Sequence, residues 1–389
     1  MFLIRQLDAE TDAEAIFSLS QFAFQYTLTD IAFEQKREEA KRHIIWGWMP
    51  EGELAAKLHL IPLHCYISGK RFAMGGVSSV ATWPEYRRQG AVKQLLKHAL
   101  RYMRQNGQTL SFLHPFSFAF YRKYGWEHVF TKKEYHIPIT RLKRQWDASG
   151  YVRRIGEDLD TLQTVYTEYA KRFNGMLDRD AKWWQQRVLK DNWHKAVAYD
   201  ADGTAEGYML YKVENEMVRI QELVSNTMNA QQLLLQFVAN HDSMAENVEM
   251  NVPEYDNLPL MLDEPRFEQK LKPYFMARIV DVHAFLRQFP FRNASTSVVL
   301  HINDSFLPEN NGIYHVRQSE TGTNVTHLSM SDGKRCGVQC NAGHLAAMLL
   351  GYRRPADLHW AGLIQGNREA VDKLNAMIPD RQPFFPDFF

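Results

Sequence analysis

The chain has 389 residues, 45% of them hydrophobic, with Lys+Arg 46 against Asp+Glu 45 and a net charge of +1. That length exceeds one compact core and calls for two or three domains, and the apolar content excludes a disordered chain. The balanced charge leaves no basic face for nucleic acid or a membrane surface, no apolar run reaches the roughly 20 residues of a membrane span, and Met1–Asp8 lacks a charged-then-apolar signal region, so a cytoplasmic protein is expected.

The first domain is read over residues 1–150. A short strand at Ile4–Leu7 is followed by a helix that Thr11-Asp12-Ala13-Glu14 opens with capping residues, and a second helix spans roughly Thr29–Glu39. Strands follow at Ile44–Met49, Glu53–Leu63 and Arg71–Thr82. Pro84 closes the last of them, because proline cannot donate to a sheet ladder. Arg87-Arg88-Gln89-Gly90 then makes a basic turn, and from Ala91 the residues Val92, Leu95, Leu96, Ala99 and Leu100 recur at helical spacing. The first amides of such a helix have no partner inside it and sit at the positive end of its dipole, so strand, turn and helix together form a cradle for a pyrophosphate. Gly90 lets the backbone approach and the arginines add charge.

Arg87-x-x-Gly90-x-Val92 resembles the coenzyme A loop of GNAT-fold N-acetyltransferases, with Val92 standing where that loop usually has a small residue. A further strand, Thr109–His114, leads to Phe116-Ser117-Phe118-Ala119-Phe120-Tyr121-Arg122-Lys123-Tyr124-Gly125-Trp126. The Phe120-Tyr121-x-x-Tyr124-Gly125-Trp126 ending is similar to the close of those domains, where a tyrosine on a short helix sits beside the thioester sulfur. Tyr121 is the candidate general acid, since a phenol with an ordinary pKa near 10 can protonate a departing thiolate.

The second domain is read over 151–285. A helix over Ala181–Leu189, with Trp183, Trp184 and Arg187, reads as packing. Ala205–Val213 and Met217–Val224 read as paired strands before a helix at Ala230–Asn240, repeating the order seen around residues 53–100. Here Ser225-Asn226-Thr227-Met228-Asn229 replaces the basic turn, so a second acetyltransferase-like fold without coenzyme A is expected. The third domain, 286–389, carries strands at Ser297–Ile302, Gly312–Gln318 and Thr326–Met330 and helices at Asn341–Gly351 and Arg368–Met377. Three cysteines are too few for a disulfide framework and fit a reducing compartment. Cys336-x3-Cys340-x3-His344 has no fourth ligand nearby and reads as buried thiols rather than a metal site, and Asn293-Ala-Ser, Asn303-Asp-Ser and Asn324-Val-Thr carry no meaning without secretion. The chain closes on Pro383-Phe384-Phe385-Pro386-Asp387-Phe388-Phe389, an apolar and stiff end where ends are usually polar and mobile. Its phenylalanines call for burial, and a buried Phe389 would carry its α-carboxylate inside, where desolvation makes it a better base.

Taken together, the chain is identified as a member of the enhanced-intracellular-survival family of GNAT N-acetyltransferases. The resemblance rests on Val80-Ala81-Thr82-x-Pro84-x-x-Arg87-Arg88-x-Gly90, Tyr121-x-x-Tyr124-Gly125, Tyr274–Val282, Leu345–Gly351 and the terminal Phe389. It implies an α/β fold with mixed sheets: a catalytic GNAT domain, a GNAT-like domain without cofactor, and a sterol-carrier-protein-like domain. It implies acetyl-CoA as co-substrate and no metal. Val80, Ala81 and Thr82 would pair with the pantetheine arm; Arg87, Arg88, Gln89, Gly90, Ala91, Val92 and Lys93 would cradle the pyrophosphate. Phe116 and Ser117 would lie along the cofactor, Tyr121 would be the acid and the Phe389 carboxylate the base. The acceptors implied are multi-amine molecules such as aminoglycosides, and the assembly a homohexamer. Two other readings stand beside this one: a protein that binds coenzyme A or an apolar ligand and transfers nothing, and an acetyltransferase for peptide lysines.

Overall fold

The computed structural model describes residues 3–190, 192–292, 296–320, 322–328 and 337–389. The chain begins with β1 (Leu3–Leu7), α1 (Ala13–Phe24), α2 (Asp30–Ala40), β2 (Ile44–Met49), β3 (Ala56–Ile67), β4 (Lys70–Thr82), α3 (Ala91–Gln105), β5 (Leu110–Leu113), α4 (Phe118–Arg122) and β6 (Glu127–Pro138). It continues through β7 (Tyr151–Ile155), α5 (Leu159–Ala170), α6 (Ala181–Trp183), β8 (His194–Tyr199), β9 (Ala205–Glu214), β10 (Met217–Ser225), α7 (Met228–Ala239), β11 (Asn247–Val252) and β12 (Glu268–Ile279). The last part contributes β13 (Ser297–Asn303), β14 (Gly312–Ser319), β15 (Gly322–Leu328) and β16 (Val338–Asn341), with helices over Val282–Gln288, Ala342–Leu349 and Arg368–Met377.

Among the described residues these strands form a 12-stranded sheet, ordered β1-β2-β3-β4-β5-β12-β6-β11-β10-β9-β8-β7, and a 4-stranded sheet, β15-β14-β13-β16. The large sheet crosses residue 150 without a break because the two halves exchange strands. β12 runs antiparallel to β5, Met276 opposite Leu113, and on its other side pairs with β6, while β6 also pairs with β11. The exchange has a packing cause. β5 is four buried residues long, and an open edge beside it would expose unpaired backbone. Phe275, Met276, Ala277 and Ile279 of β12, all fully buried, cover that edge with a matching apolar surface.

The helix of the first unit forms as its spacing predicts. Leu95, Leu96, Ala99, Leu100 and Met103 of α3 are buried against β3 and β4. The Ala181–Leu189 segment differs from a plain helix: one turn of α6 passes into a wider π-turn over Trp184–Val188. β15 begins at Gly322, earlier than the spacing suggests, and Ser329 and Met330 lie outside the described residues, as do Cys336 and Asn293. The strands β6 and β12 and the helix α5 escape a local reading, since their apolar patterns are short and make sense only against distant partners. One core cluster joins the parts, holding Phe112 and Phe130, Trp184 and Phe275, Leu345 and Leu349, and Phe384, Phe385 and Phe389 of the tail. No helix among the described residues is long and apolar enough to cross a membrane.

Candidate active site

β4 parts from both of its neighbours at one point. Its pairing with β5 covers only Met74–Val77 against Leu110–Leu113. On the β3 side the register slips: Lys57 faces Ala81 while His59 faces Ser78, so Ser79 and Val80 have no register partner. This is a β-bulge, and Ser79 takes the left-handed conformation at φ 50°. The strand therefore opens a wedge whose wall is bare backbone, which suits an extended chain laid alongside as an added strand. Thr82 Oγ1 is buried without a hydrogen-bond partner among the described residues.

Beyond the wedge, Arg88 (φ 65°) and Gly90 (φ 84°) shape the basic turn. Gly90 is the N-cap of α3 and brings no side-chain cap, so the first amides of this helix stay free. Arg87, Arg88, Gln89, Gly90 and Lys93 are exposed, Ala91 is buried, and Val92 lies half-buried against the core that holds Trp46 and Leu96. The bulky side chain at Val92 thus packs inward and leaves the turn open. The second unit is built differently at the same place. α7 is capped by Thr227, whose hydroxyl accepts from Ala230 N at 3.1 Å and donates to Glu206 at 2.7 Å.

Tyr121 sits on α4, which Ser117 caps by accepting from Phe120 N at 3.3 Å. Ser117 thereby positions the helix. The Tyr121 ring is buried edge-on to Phe116 (5.7 Å), Phe120 (5.2 Å) and Trp126 (6.3 Å), while Phe116 is 77% exposed. Burial, and next the neighbouring Tyr124, raises the phenol above its ordinary range, so it stays protonated at neutral pH. Gly125 has a structural task in the same motif: at φ 84° its α-carbon faces the Arg278 guanidinium, which a Cβ would strike at 2.0 Å. Arg278 is buried against Asp304 and donates to Tyr124 O.

The tail enters the core as its composition suggests at Phe384, Phe385 and Phe389, whereas Phe388 stays exposed, against the expectation that all four phenylalanines are buried. Phe384 N donates to Asn174 O, Arg179 Nε donates to Asp387 Oδ1 at 3.1 Å, Trp183 Nε1 donates to the same oxygen at 2.7 Å, and Tyr274 OH donates to Asp387 O at 3.0 Å. Arg179 is itself buried and forks onto Glu222 at 3.0 and 2.9 Å. Asp387 is thus consumed in fixing the tail, and the residues that fix it, Arg179 and Glu222, carry no local sequence signal. The Phe389 ring lies 5.1 Å from Phe275 and directly over Gly76, where a Cβ would come within 2.8 Å of it. Gly76→Val is expected to expel the phenyl ring and destabilise the chain by about 1–3 kcal/mol; a urea midpoint that matches wild type would contradict the contact.

These parts meet at a cavity of about 560 Å³ walled by Phe17, Ser20, Phe24 and Lys36 of the first helices, Val77–Val80, His114–Phe116, Tyr121, Arg187, Phe388 and Phe389, among others. It brings together Val80, Phe116, Tyr121 and Phe389 of the expected residues; the 87–93 turn lies outside its wall. His43 and His59 border it with their Nδ1 atoms 3.2 Å apart. Burial, then Arg187 and Arg42, pulls His43 down to about 3, and burial, then Lys57, holds His59 well below its usual range. The unfolded chain takes up protons near pH 6.5 that the folded chain refuses, so stability falls as pH drops through that value. The neutral His43 costs on the order of 2 kcal/mol between pH 6.5 and 5, and His59 acts in the same direction. Urea midpoints measured from pH 7.5 to 5 are expected to fall accordingly; a flat profile would contradict this burial.

Among the described residues no group of three or more His, Cys, Asp or Glu side chains could hold a metal ion. Cys65 and Cys340 are buried free thiols, Cys340 pushed up to about 12 by burial.

The chain matches the acetyltransferase (GNAT) domain over residues 4–129, a second acetyltransferase (GNAT) domain over 175–279 and the sterol carrier protein domain over 282–386. It is 22% identical over 361 residues to an uncharacterized N-acetyltransferase of Streptomyces griseus, covering 83% of each chain. It is 25% identical over 248 residues to the N-acetyltransferase Eis of Mycobacterium tuberculosis, covering 59% of this chain and 61% of that one. A crystal structure of a probable N-acyltransferase from Enterococcus faecalis superposes over 100% of both chains with a TM-score of 0.92 at 25% identity.

Proposed function

We propose, on the premise that the chain is an acetyl-CoA-dependent N-acetyltransferase of the enhanced-intracellular-survival (Eis) family with tandem GNAT domains and a C-terminal sterol-carrier-protein-like domain, that the cavity between Tyr121 and Phe389 is where an acetyl group passes directly to a primary amine. The observation that carries this reading is that Tyr121 and the chain terminus wall one cavity beside the opened strand β4. The Phe389 α-carboxylate takes a proton from the acceptor amine, whose nitrogen then attacks the thioester carbonyl carbon. The Val80 N–H, left without a register partner by the bulge, donates to the carbonyl oxygen as charge builds there. As the carbon–sulfur bond breaks, the Tyr121 hydroxyl gives its proton to the departing thiolate. No cysteine lies among the residues lining the cavity, so direct transfer is favoured over a covalent acetyl-enzyme. The pyrophosphate is assigned to the free amides of α3 and to Arg87, Arg88 and Lys93. The second unit is assigned no cofactor, since Thr227 and Glu206 already occupy the N-terminus of α7.

The acceptor class that the family likeness suggests is a multi-amine small molecule such as an aminoglycoside, and the assembly a hexamer, which light scattering checks. The cavity wall carries Lys36 and Arg187, and its one side-chain carboxylate, Glu39, is paired with Arg187. A polycation therefore gains less attraction here than in an acidic pocket. Coenzyme A release is to be followed with aminoglycosides, polyamines and lysine peptides, and products weighed by mass spectrometry. Turnover that requires an amine supports the reading; acetyl-CoA bound with no transfer to any acceptor favours a binding protein.

A further inference from the structure

Lys57 is the unexplained residue of this site. It lies on β3 with no exposed surface, and among the described residues no carboxylate is within ion-pairing distance. Burying an ammonium without a counter-charge is costly. Its contacts all lead to one place. Nζ donates to the Ser79 carbonyl oxygen at 3.1 Å and to Ser79 Oγ at 2.7 Å, and lies 3.0 Å from His59 Nε2. Three acceptors thus meet the three protons of an ammonium. In this arrangement His59 accepts at Nε2 and donates from Nδ1 to His43. Ser79 Oγ also lies 3.4 Å from Ser20 Oγ of α1.

The carbonyl that Lys57 grips and the amide that the bulge leaves without a register partner belong to the same peptide unit, Ser79–Val80. We propose that Lys57 is a positioning residue for acetyl transfer: its ammonium, seated on the Ser79 carbonyl oxygen, holds the bulge in its left-handed form and polarises the Ser79–Val80 peptide, so that the Val80 N–H becomes a stronger donor to the thioester carbonyl. A positive group on the oxygen of a peptide draws electron density from its nitrogen and sharpens the donor on the far side. The gain is largest when the carbonyl oxygen carries full negative charge, so it appears in the rate more than in binding. Burial, and next Lys36, pulls Lys57 down to about 7; negative charge building across the peptide returns it toward the charged form. The inference rests on the proposed transfer site.

The test compares the full chain with Lys57→Met, which keeps the length of the side chain without charge or donor, and Lys57→Gln, which keeps a neutral donor. Turnover, coenzyme A affinity and the infrared carbonyl stretch of bound 13C-acetyl-CoA are measured on each. Coenzyme A lacks the acetyl carbonyl, so its affinity reports the fold of the site apart from the donor. Lys57→Met is expected to lose about 10–100-fold in kcat, keep coenzyme A affinity within about 3-fold, and return the bound carbonyl stretch toward the free value. Lys57→Gln is expected to fall between Lys57→Met and wild type. A kcat within about 3-fold of wild type, or coenzyme A affinity lost in parallel with kcat, would overturn the proposal. So would a wild-type carbonyl stretch that does not move on binding, a result that needs neither variant to fold. A wild-type chain that binds acetyl-CoA but transfers acetyl to no amine would instead remove the transfer site itself, and wild-type turnover, measured first, separates these two failures.

Discussion

A chain lengthened by one glycine after Phe389 is expected to bind acetyl-CoA as wild type does and to transfer acetyl groups about 10²–10⁴-fold more slowly. The tail has little freedom to absorb the change. Asp387 is held by Arg179 and Trp183, and the Phe389 ring is seated against Gly76 and Phe275. One added residue carries the carboxylate up to about 3.3–3.6 Å away along the chain and leaves a neutral peptide where the base stood. The 87–93 turn lies outside the cavity that the tail walls, so the grip on the pyrophosphate is expected to hold. Turnover unchanged by the extension would remove the terminal carboxylate from the mechanism and leave the aromatic tail as a clamp between the parts of the chain.

Tyr121→Phe is the second large effect. The substitution keeps the ring and its edge contacts with Phe116, Phe120 and Trp126 and removes only the hydroxyl. The expected loss is about 10²–10³-fold in kcat, with acetyl-CoA affinity nearly unchanged. Burial raises the phenol above its ordinary range, so the hydroxyl carries its proton at neutral pH, as an exposed tyrosine also does. If affinity and turnover fell together, the hydroxyl would be part of the packing and the proton donor would lie elsewhere.

What could be read from the chain alone was what is local. The basic turn and α3 follow from a proline, a glycine and an apolar spacing within about 20 residues, and Tyr121 is marked by the aromatic run around it. The burial of the tail follows from its composition. What stayed hidden depends on partners far along the chain. β12 enters the first unit's sheet through pairing with β5, a contact no local pattern encodes. Arg179, Glu222 and Asp387 are three ordinary charged residues until the fold brings them together. Lys57 and His59 alternate with apolar neighbours along β3, which reads as a strand with one wet face, yet α1 and α2 cover that face and both side chains are buried. Ser117, which the motif places along the cofactor, also caps α4 through its hydroxyl.

A crystal structure of the full chain with acetyl-CoA bound tests the central claim most directly. The account expects the pyrophosphate on the free amides of α3 beside Arg88 and Gly90, the pantetheine arm along Val80–Thr82, and the thioester in the cavity with its sulfur within hydrogen-bond reach of the Tyr121 hydroxyl and its carbonyl facing the Val80 N–H. Acetyl-CoA found away from the β4 wedge, or bound there with its sulfur out of reach of Tyr121, would contradict it.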